Sequence, residues 1–257
     1  MSRLPAKSTI GQPFVELVTV DSTNIYAMDH LQANLAAHGA VFFAHNQTSG
    51  KGQHGKKWLT EPRANIALSV ILDCRSLSLG HQFPLSVMVS LAAYDLFAAY
   101  AGDETTIKWP NDIYWRDRKA GGVLIETQVR GNIWQAAVAG IGININQTSF
   151  STQVQNPVSL KQITGKDFDT LLLAGELCSY LEKRYQQLQK GGEEALLIEY
   201  NTHLYKKGQD VKLKKGPVVF TGTITGISAK GDLLVKSAIT ESFRFGEIEW
   251  VLPSVIS

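Results

Sequence analysis

Gly50-Lys51-Gly52-Gln53-His54-Gly55-Lys56-Lys57 fits two nucleotide-binding patterns by letter and neither by context. Through Gly50, Gly52 and Gly55 it reads as the G-x-G-x-x-G of a dinucleotide fold; through Gly50, Gly55 and Lys56 it nearly reads as a phosphate-cradling G-x-x-x-x-G-K. Both patterns require a helix next, because a helix N-terminus supplies amides and the positive end of a dipole to the phosphate. Only residues 58–64 precede the next β-rich run, and Pro62 lies among them. A parallel crossover needs about a dozen residues. Lys57 also occupies the place of the magnesium-binding hydroxyl, and Asp73 has the spacing of a ribose-binding acid without the helix that would give it meaning. The chemistry of the loop outlives both motifs. Its glycines let the backbone approach a ligand, and Lys51, His54, Lys56 and Lys57 set positive charge beside it. Taken alone, a solvated basic loop explains the segment equally well.

Outward from the loop, short strands alternate with helices. Upstream, residues 14–20 are β-rich and run into Asp21-Ser22-Thr23-Asn24, a cluster of helix N-cap types. Ile25, Met28, Leu31 and Leu35 then recur at helical spacing, and 40–44 reads as a strand. Downstream, 65–73 reads as a buried strand and 83–101 as a helix. Strands are expected at 105–109, 113–115, 122–129 and 133–138. Over 169–188, Ala174, Cys178, Leu181, Tyr185 and Leu188 share one helix face, and 193–204 is a further helix. After Tyr205 the character changes to alternating strands with glycine turns, DVKLKKGPVVFTGTITGISAKGDLLV over 210–235, which suggests a small SH3-like β-barrel. The expected fold class is therefore α+β: a mixed-sheet domain flanked by helices over 1–205, then a small all-β module over 206–257.

A chain of 257 residues has room for these two units. With 25 basic and 23 acidic residues the net charge is only +2, so there is no general attraction to nucleic acid or membrane and any anion site must be local. Cys74 and Cys178 sit in strand-like and helical apolar contexts, which suits reduced core thiols in a cytoplasmic protein. Residues 1–7 lack the apolar region of a signal peptide. The apolar run 83–101 is nearly long enough to span a bilayer, but Pro84, Ser86, Ser90 and Asp95 and the lack of basic flanks favour a buried helix.

Three more segments carry polar residues in unusual settings. Lys108-Trp109-Pro110-Asn111-Asp112 gathers a cation, an amide and a carboxylate around a stiff step, where an ordinary strand-to-turn junction is the alternative. Lys119-Ala120-Gly121-Gly122-Val123-Leu124-Ile125-Glu126 sets a lysine at the mouth of a buried strand. Gly140-Ile141-Gly142-Ile143-Asn144 alternates glycine with isoleucine, as a bulge or close strand packing also would.

In this order and spacing, Asp21–Asn24, Gln47–Gly55, Trp58, Lys108–Asp112, Lys119–Glu126 and Gly140–Asn144 closely resemble the biotin–protein ligase family, monofunctional type, from about residue 14 to the end. The resemblance implies a sheet of the class II aminoacyl-tRNA synthetase-like, biotin–lipoate ligase kind. It also implies a two-step reaction in which biotin and ATP, with Mg²⁺, give biotinyl-5′-AMP, and a lysine of a carrier protein then takes the biotinyl group. Its residue roles fall on Ser22, Thr23, Asn24, Gln47, Lys51, Gly52, Gln53, Lys119, Gly122 and Leu124 for biotin. Those for the adenylate fall on Gly50, His54, Gly55, Trp58, Lys108, Asn111, Gly142 and Asn144. Lys119 and Asp112 would act at the phosphate, and no dedicated protein ligands for a metal are expected.

The carrier implied is the biotin carboxyl carrier domain of acetyl-CoA carboxylase. A homodimer is a state found among relatives. Some relatives carry an N-terminal DNA-binding domain, for which the residues ahead of Asp21 leave too little chain, so operator binding is not expected. One departure stands out. Many members place arginines where this loop has Lys51, Gln53 and His54, and neither lysine nor glutamine reproduces a bidentate guanidinium contact. Substituting Gln53 or His54 is therefore expected to loosen retention of biotinyl-AMP, measured as leakage of the adenylate from the purified protein; unchanged leakage would refute this.

Overall fold

The computed structural model describes residues 9–77, 79–152 and 154–251, and of His54 and Leu79 the backbone alone. The stretch 1–7 and the tail 252–257 of the β module lie outside the described residues. Seven strands, β1 (Phe14–Leu17), β2 (Val41–Ala44), β3 (Asn65–Asp73), β4 (Thr105–Lys108), β5 (Asp112–Trp115), β6 (Arg118–Arg130) and β7 (Ile133–Asn144), form one sheet in the order β1-β2-β3-β7-β6-β5-β4. Only β1 and β2 run parallel, joined through helix α1 (Thr23–Gln32); the remaining pairs are antiparallel. The mixed sheet expected from the failed loop motifs is what forms.

Side chains alternate between the two faces of each strand, and here the two faces have different tasks. Ile66, Leu68, Val70 and Leu72 of β3, with Ala137, Ala139, Ile141 and Ile143 of β7, belong to the main apolar core. That core also takes in α2 (Gln82–Ala101) and α4 (Thr170–Gln189), while the short α3 (Leu160–Thr164) and α5 (Glu193–Thr202) pack at its margin. The other face meets α1 over a smaller apolar cluster of Ala27, Ala40, Phe42, Ile71 and Val138. The helix of membrane-spanning length, α2, is a core element: Leu85, Met88, Leu91 and Phe97 are fully buried.

The helical stripe of α4 lies inward, with Ala174, Cys178, Leu181, Tyr185 and Leu188 all buried. Asp169 caps it, accepting from the Leu171 and Leu172 N–H groups at 2.9 and 3.1 Å. Helix α1 needs a correction. It ends at Gln32, so Leu35 is not on its apolar face but 74% exposed, and its fully buried positions are Thr23, Asn24 and Ala27. Polar residues hold the inward face because they meet polar groups on the sheet, as described below. Both cysteines are free and buried.

A second, five-stranded antiparallel sheet, ordered β11-β10-β9-β8-β12, comprises β8 (Asp210–Lys215), β9 (Val218–Ile227), β10 (Leu233–Lys236), β11 (Thr240–Phe243) and β12 (Glu249–Trp250). The segment leading into it is fastened to β4, with Ile107 N donating to His203 O (2.8 Å) and Tyr205 N to Ile107 O (2.9 Å), and Trp109 Nε1 donates to Gly231 O (2.9 Å) in the turn between β9 and β10.

One ionic cluster ties the helices together. Arg184 of α4, 7% exposed, binds both oxygens of Asp95 in α2 (2.7 and 2.8 Å) and both of Glu199 in α5 (2.6 and 2.5 Å). Removing one carboxylate strands a buried guanidinium with its remaining partner. Asp95→Ala is expected to lower the unfolding free energy by about 3 kcal/mol, read from urea denaturation; a change within about 0.5 kcal/mol would show the cluster to be energetically idle.

Candidate functional site

On the α1 face, the sheet carries glycine where a floor is needed. Gly122 of β6 and Gly140 and Gly142 of β7 point into a cleft of about 960 Å³, with Ala67 beside them. Gly142 pairs across to both Gly122 and Ala67, and Gly140 to Leu124 and Ser69, so the paving is continuous over three strands. The alternation read in 140–144 now has its reason: isoleucines fill the core and glycines leave the other face bare.

Each bare glycine is covered by side chains from elsewhere in the chain. A Cβ on Gly140 would fall 2.1 Å from Asn24 Oδ1; one on Gly142, 2.3 Å from the Trp58 ring; one on Gly122, 3.0 Å from Asp112 Oδ1 and 3.5 Å from Lys119 Nζ. No side chain fits at the first two without displacing what lies above.

At one end of the cleft sits a polar knot. Gln47 Oε1 accepts from Thr23 N (2.8 Å) and lies 3.2 Å from the Thr23 hydroxyl. Ser69 Oγ donates to Asn24 Oδ1 (2.6 Å) and lies 2.7 Å from Thr23 Oγ1. Asn24 Nδ2 donates to Glu126 Oε2 (2.9 Å), and Lys51 Nζ reaches Glu126 Oε1 at 3.6 Å. Ser22 occupies the N-cap position of α1, yet its hydroxyl makes no capping bond. Ser22, Thr23, Asn24, Gln47, Lys51, Gly52, Gln53, Gly122 and Leu124 all line the cleft.

Lys119 reaches the cleft because of a bulge. Asp112 pairs with Gly122 and Ile113 with Gly121, but Tyr114 pairs with Lys119, leaving Ala120 as the extra residue. Without it, Lys119 would share the core-facing side of Gly121; a shift of one residue exchanges the faces. Lys119 Nζ donates to Asp112 Oδ1 at 2.6 Å. Its backbone is braced as well: Lys119 N donates to Asn156 O (2.7 Å) and Val158 N to Lys119 O (2.9 Å). Asn144 Nδ2 donates to Val158 O (3.1 Å). Asn111 plays the same part for β6: its side-chain amide donates to Val123 O, and its backbone carbonyl accepts from Val123 N (3.1 Å). These two asparagines line the cleft while also acting as struts.

The glycine loop folds back over the opening through a Lys51–Lys57 bridge and a single 3-10 turn, Gln53–Gly55. Trp58 lies on the wall, but Gly50 and Gly55 do not. Gly50 O accepts from Trp58 N (2.9 Å), and Gly55 takes φ +74°, so both serve the turn rather than the surface. The side chain of His54 lies outside the described residues.

Five lysines line the cleft, Lys51, Lys56, Lys57, Lys108 and Lys119, against two carboxylates, Asp112 and Glu249. In a chain of net charge +2 this is a local concentration of positive charge. Lys108 is the most perturbed. Burial, and then the nearby Lys119 and Lys56 charges, push it down to about 8 against the pull of Asp112, which raises it. Among the described residues, no three His, Cys, Asp or Glu side chains gather as a metal site.

Sequence reasoning missed Ser69, hidden in an apolar-looking strand, and the whole far wall. Glu249 and Trp250 of β12, and Phe245 and Ile248 of the connection that leads to it from β11, line the cleft, as do Phe150, Val154 and Gln155. No residue pattern announces a wall formed by docking.

The family model described as "Biotin/lipoate A/B protein ligase family" matches residues 16–144, half of the chain. A biotin–[acetyl-CoA-carboxylase] ligase of Paracoccus denitrificans is 27% identical over 226 residues, 86% of this chain and 92% of that protein. A bifunctional ligase/repressor, BirA, of Bacillus spizizenii is 28% identical over 231 residues, 89% of this chain and 70% of that protein. The biotin protein ligase of Aquifex aeolicus, solved in complex with biotin and ATP, shares the fold at a TM-score of 0.77 and 24% identity, covering 93% of this chain and 99% of that one.

Lys108 gives a test of the cleft's electrostatics. Its folded-state value, about 8, lies below the ordinary 10.5, so the unfolded chain holds this proton more tightly. Below pH 8 the protonated amine burdens the fold fully. The burden fades as pH rises from 8 toward 10.5. Lys108→Met is thus expected to raise the Tm at pH 7, with its advantage over wild type shrinking across that window in calorimetric scans; an advantage that grows with pH would contradict the assignment.

Proposed function

The chain belongs to the biotin/lipoate A/B protein ligase family, and on that footing we propose that it joins biotin to a lysine of a biotin carboxyl carrier domain by way of biotinyl-5′-AMP. The observation that carries the reading is the cleft's polarity: a polar end of Ser22, Thr23, Asn24 and Gln47 with Lys51 beside it, and four more lysines, Lys56, Lys57, Lys108 and Lys119, along the lining. A ureido ring needs hydrogen-bond partners, whereas a carboxylate and phosphates need cations.

In the first step the biotin carboxylate oxygen bonds to the α-phosphorus of MgATP, and the bond to the bridging oxygen breaks to release pyrophosphate. In the second, a carrier lysine amine bonds to the biotinyl carbonyl, AMP leaves, and the amine loses a proton. Neither step calls for a nucleophile from the enzyme. Catalysis then rests on positioning and on fixed positive charge at the phosphorus. Lys119, aimed into the cleft and held by Asp112 at 2.6 Å, is the residue we assign to that charge. An arriving phosphate competes with Asp112 for the same ammonium. The glycine loop, closing over the cleft, shields the mixed anhydride from water.

We read the second sheet as an SH3-like barrel and place the reaction in the cytoplasm, in keeping with two free buried thiols. Lipoate and octanoate are the rival acids within the family. The polar end of the cleft favours biotin, because a dithiolane or an alkyl tail would leave Thr23, Asn24 and Gln47 facing apolar surface. Competition of labelled biotin with lipoate and octanoate decides between them.

Lys119→Ala is expected to cut biotin-dependent pyrophosphate exchange roughly 100-fold or more while far-UV dichroism and Tm show a folded protein. Near-wild-type exchange in that variant would take Lys119 out of the chemistry.

A further inference from the structure

Lys108 stands at the end of β4, on the same face as Asp112 and Tyr114 of the adjacent strand. Its natural partner would be Asp112, but that carboxylate is given to Lys119. Lys108 meets two aromatic faces instead: its Nζ lies 5.1 Å from the ring centre of Tyr114 and 5.4 Å from that of Trp250. Tyr114 comes from the same sheet. Trp250 comes from β12, the short edge strand of the second sheet, and lines the cleft beside Lys108.

Trp250 is held through its backbone. It pairs with Leu213 of β8, and Val251 N donates to Lys212 O at 2.9 Å. The Tyr205 ring lies 5.6 Å from Trp250 and 5.0 Å from Tyr114, and the Tyr205 hydroxyl donates to Asp117 Oδ1 at 2.7 Å. One tyrosine at the junction between the sheets thus backs both faces of the clamp.

Aromatic faces and carboxylates hold an ammonium in different ways. A carboxylate neutralises it and occupies its N–H groups; a ring quadrupole attracts the charge and leaves the donors available. A lysine kept between two rings stays a usable cation for an incoming anion. We infer that Trp250 is a positioning residue for the ligase reaction, holding the Lys108 ammonium toward the phosphates of the nucleotide, so that the second sheet takes part in forming the adenylate.

The inference rests on the ligase reading, and the experiment separates the two. Biotin-dependent pyrophosphate exchange is measured for wild type, Trp250→Leu, Trp250→Phe, Lys108→Met and the double variants, as KM for ATP, KM for biotin and kcat over pH 6.5–9.5 (a range of about three units around an ordinary neutral assay). Trp250→Leu should raise KM for ATP roughly tenfold with KM for biotin little changed. On the Lys108→Met background it should add nothing. In wild type KM for ATP should rise with pH through a midpoint near 8, where Lys108 loses its charge, and Lys108→Met should abolish that rise. A wild-type KM for ATP in Trp250→Leu, or the same tenfold loss repeated on Lys108→Met, overturns the clamp. Should Trp250→Leu not fold, Trp250→Phe decides: its smaller face should raise KM for ATP about twofold, and not at all on Lys108→Met. A wild-type protein without biotin-dependent exchange would instead overturn the ligase reading, and ATP binding by calorimetry across the same variants would still judge the clamp.

Discussion

The cleft exists because three glycines face it from two paired strands. A β-strand gives alternate side chains to opposite faces, so a sheet with a full apolar core on one side must put something on the other. Here Gly122, Gly140 and Gly142 put nothing there. Asn24, Trp58 and the Lys119–Asp112 pair come from elsewhere in the chain and settle on the bare backbone, at distances where a single methyl group would collide with Asn24 or Trp58. The site is thus assembled from above onto a floor that contributes shape without side chains. Its polar end follows from the same constraint, since Asn24 fits against Gly140 only while Ser69 and Glu126 satisfy its amide.

Charge is distributed on a different principle. Of the cleft lysines, Lys119 is paired with Asp112, Lys51 leans on Glu126, and Lys108 is held by aromatic rings. These three modes differ in how readily the cation is surrendered to a ligand. An ion pair must be exchanged, a long contact to a half-exposed carboxylate is screened by water, and a ring contact needs no exchange at all. A nearly neutral chain concentrates positive potential in one place by spending its acids elsewhere, notably in the Arg184 cluster that locks α2, α4 and α5.

Much of this was legible in the residues. The absent helix after residue 57 ruled against a doubly wound sheet, and the strand at 65–73 and the long helices formed where apolar periodicity placed them. The glycine–isoleucine alternation was visible, although a bulge would have looked the same. Three things were hidden for physical reasons. The bulge at Ala120 depends on how two strands align, which no local pattern records. The far wall depends on how two sheets dock, and Trp250 looks like any strand tryptophan. Asn111 and Asn144 have the composition of ligand-binding residues, and only their hydrogen bonds reveal them as braces. Leu35 failed for the opposite reason: helical spacing continued past the point where α1 ends, so the pattern outran the helix.

The single extra residue in β6 makes the site sensitive to length in a way that it is not to composition. Between Asp112 and Gly122 the hairpin can exchange one small residue for another and keep its register. Shortening it by one would turn the amine of Lys119 through the sheet and into the packed hydrocarbon beneath, with no intermediate setting. Anyone grafting this hairpin onto another scaffold, or recombining related chains at this point, has to preserve the count of residues before attending to their identity.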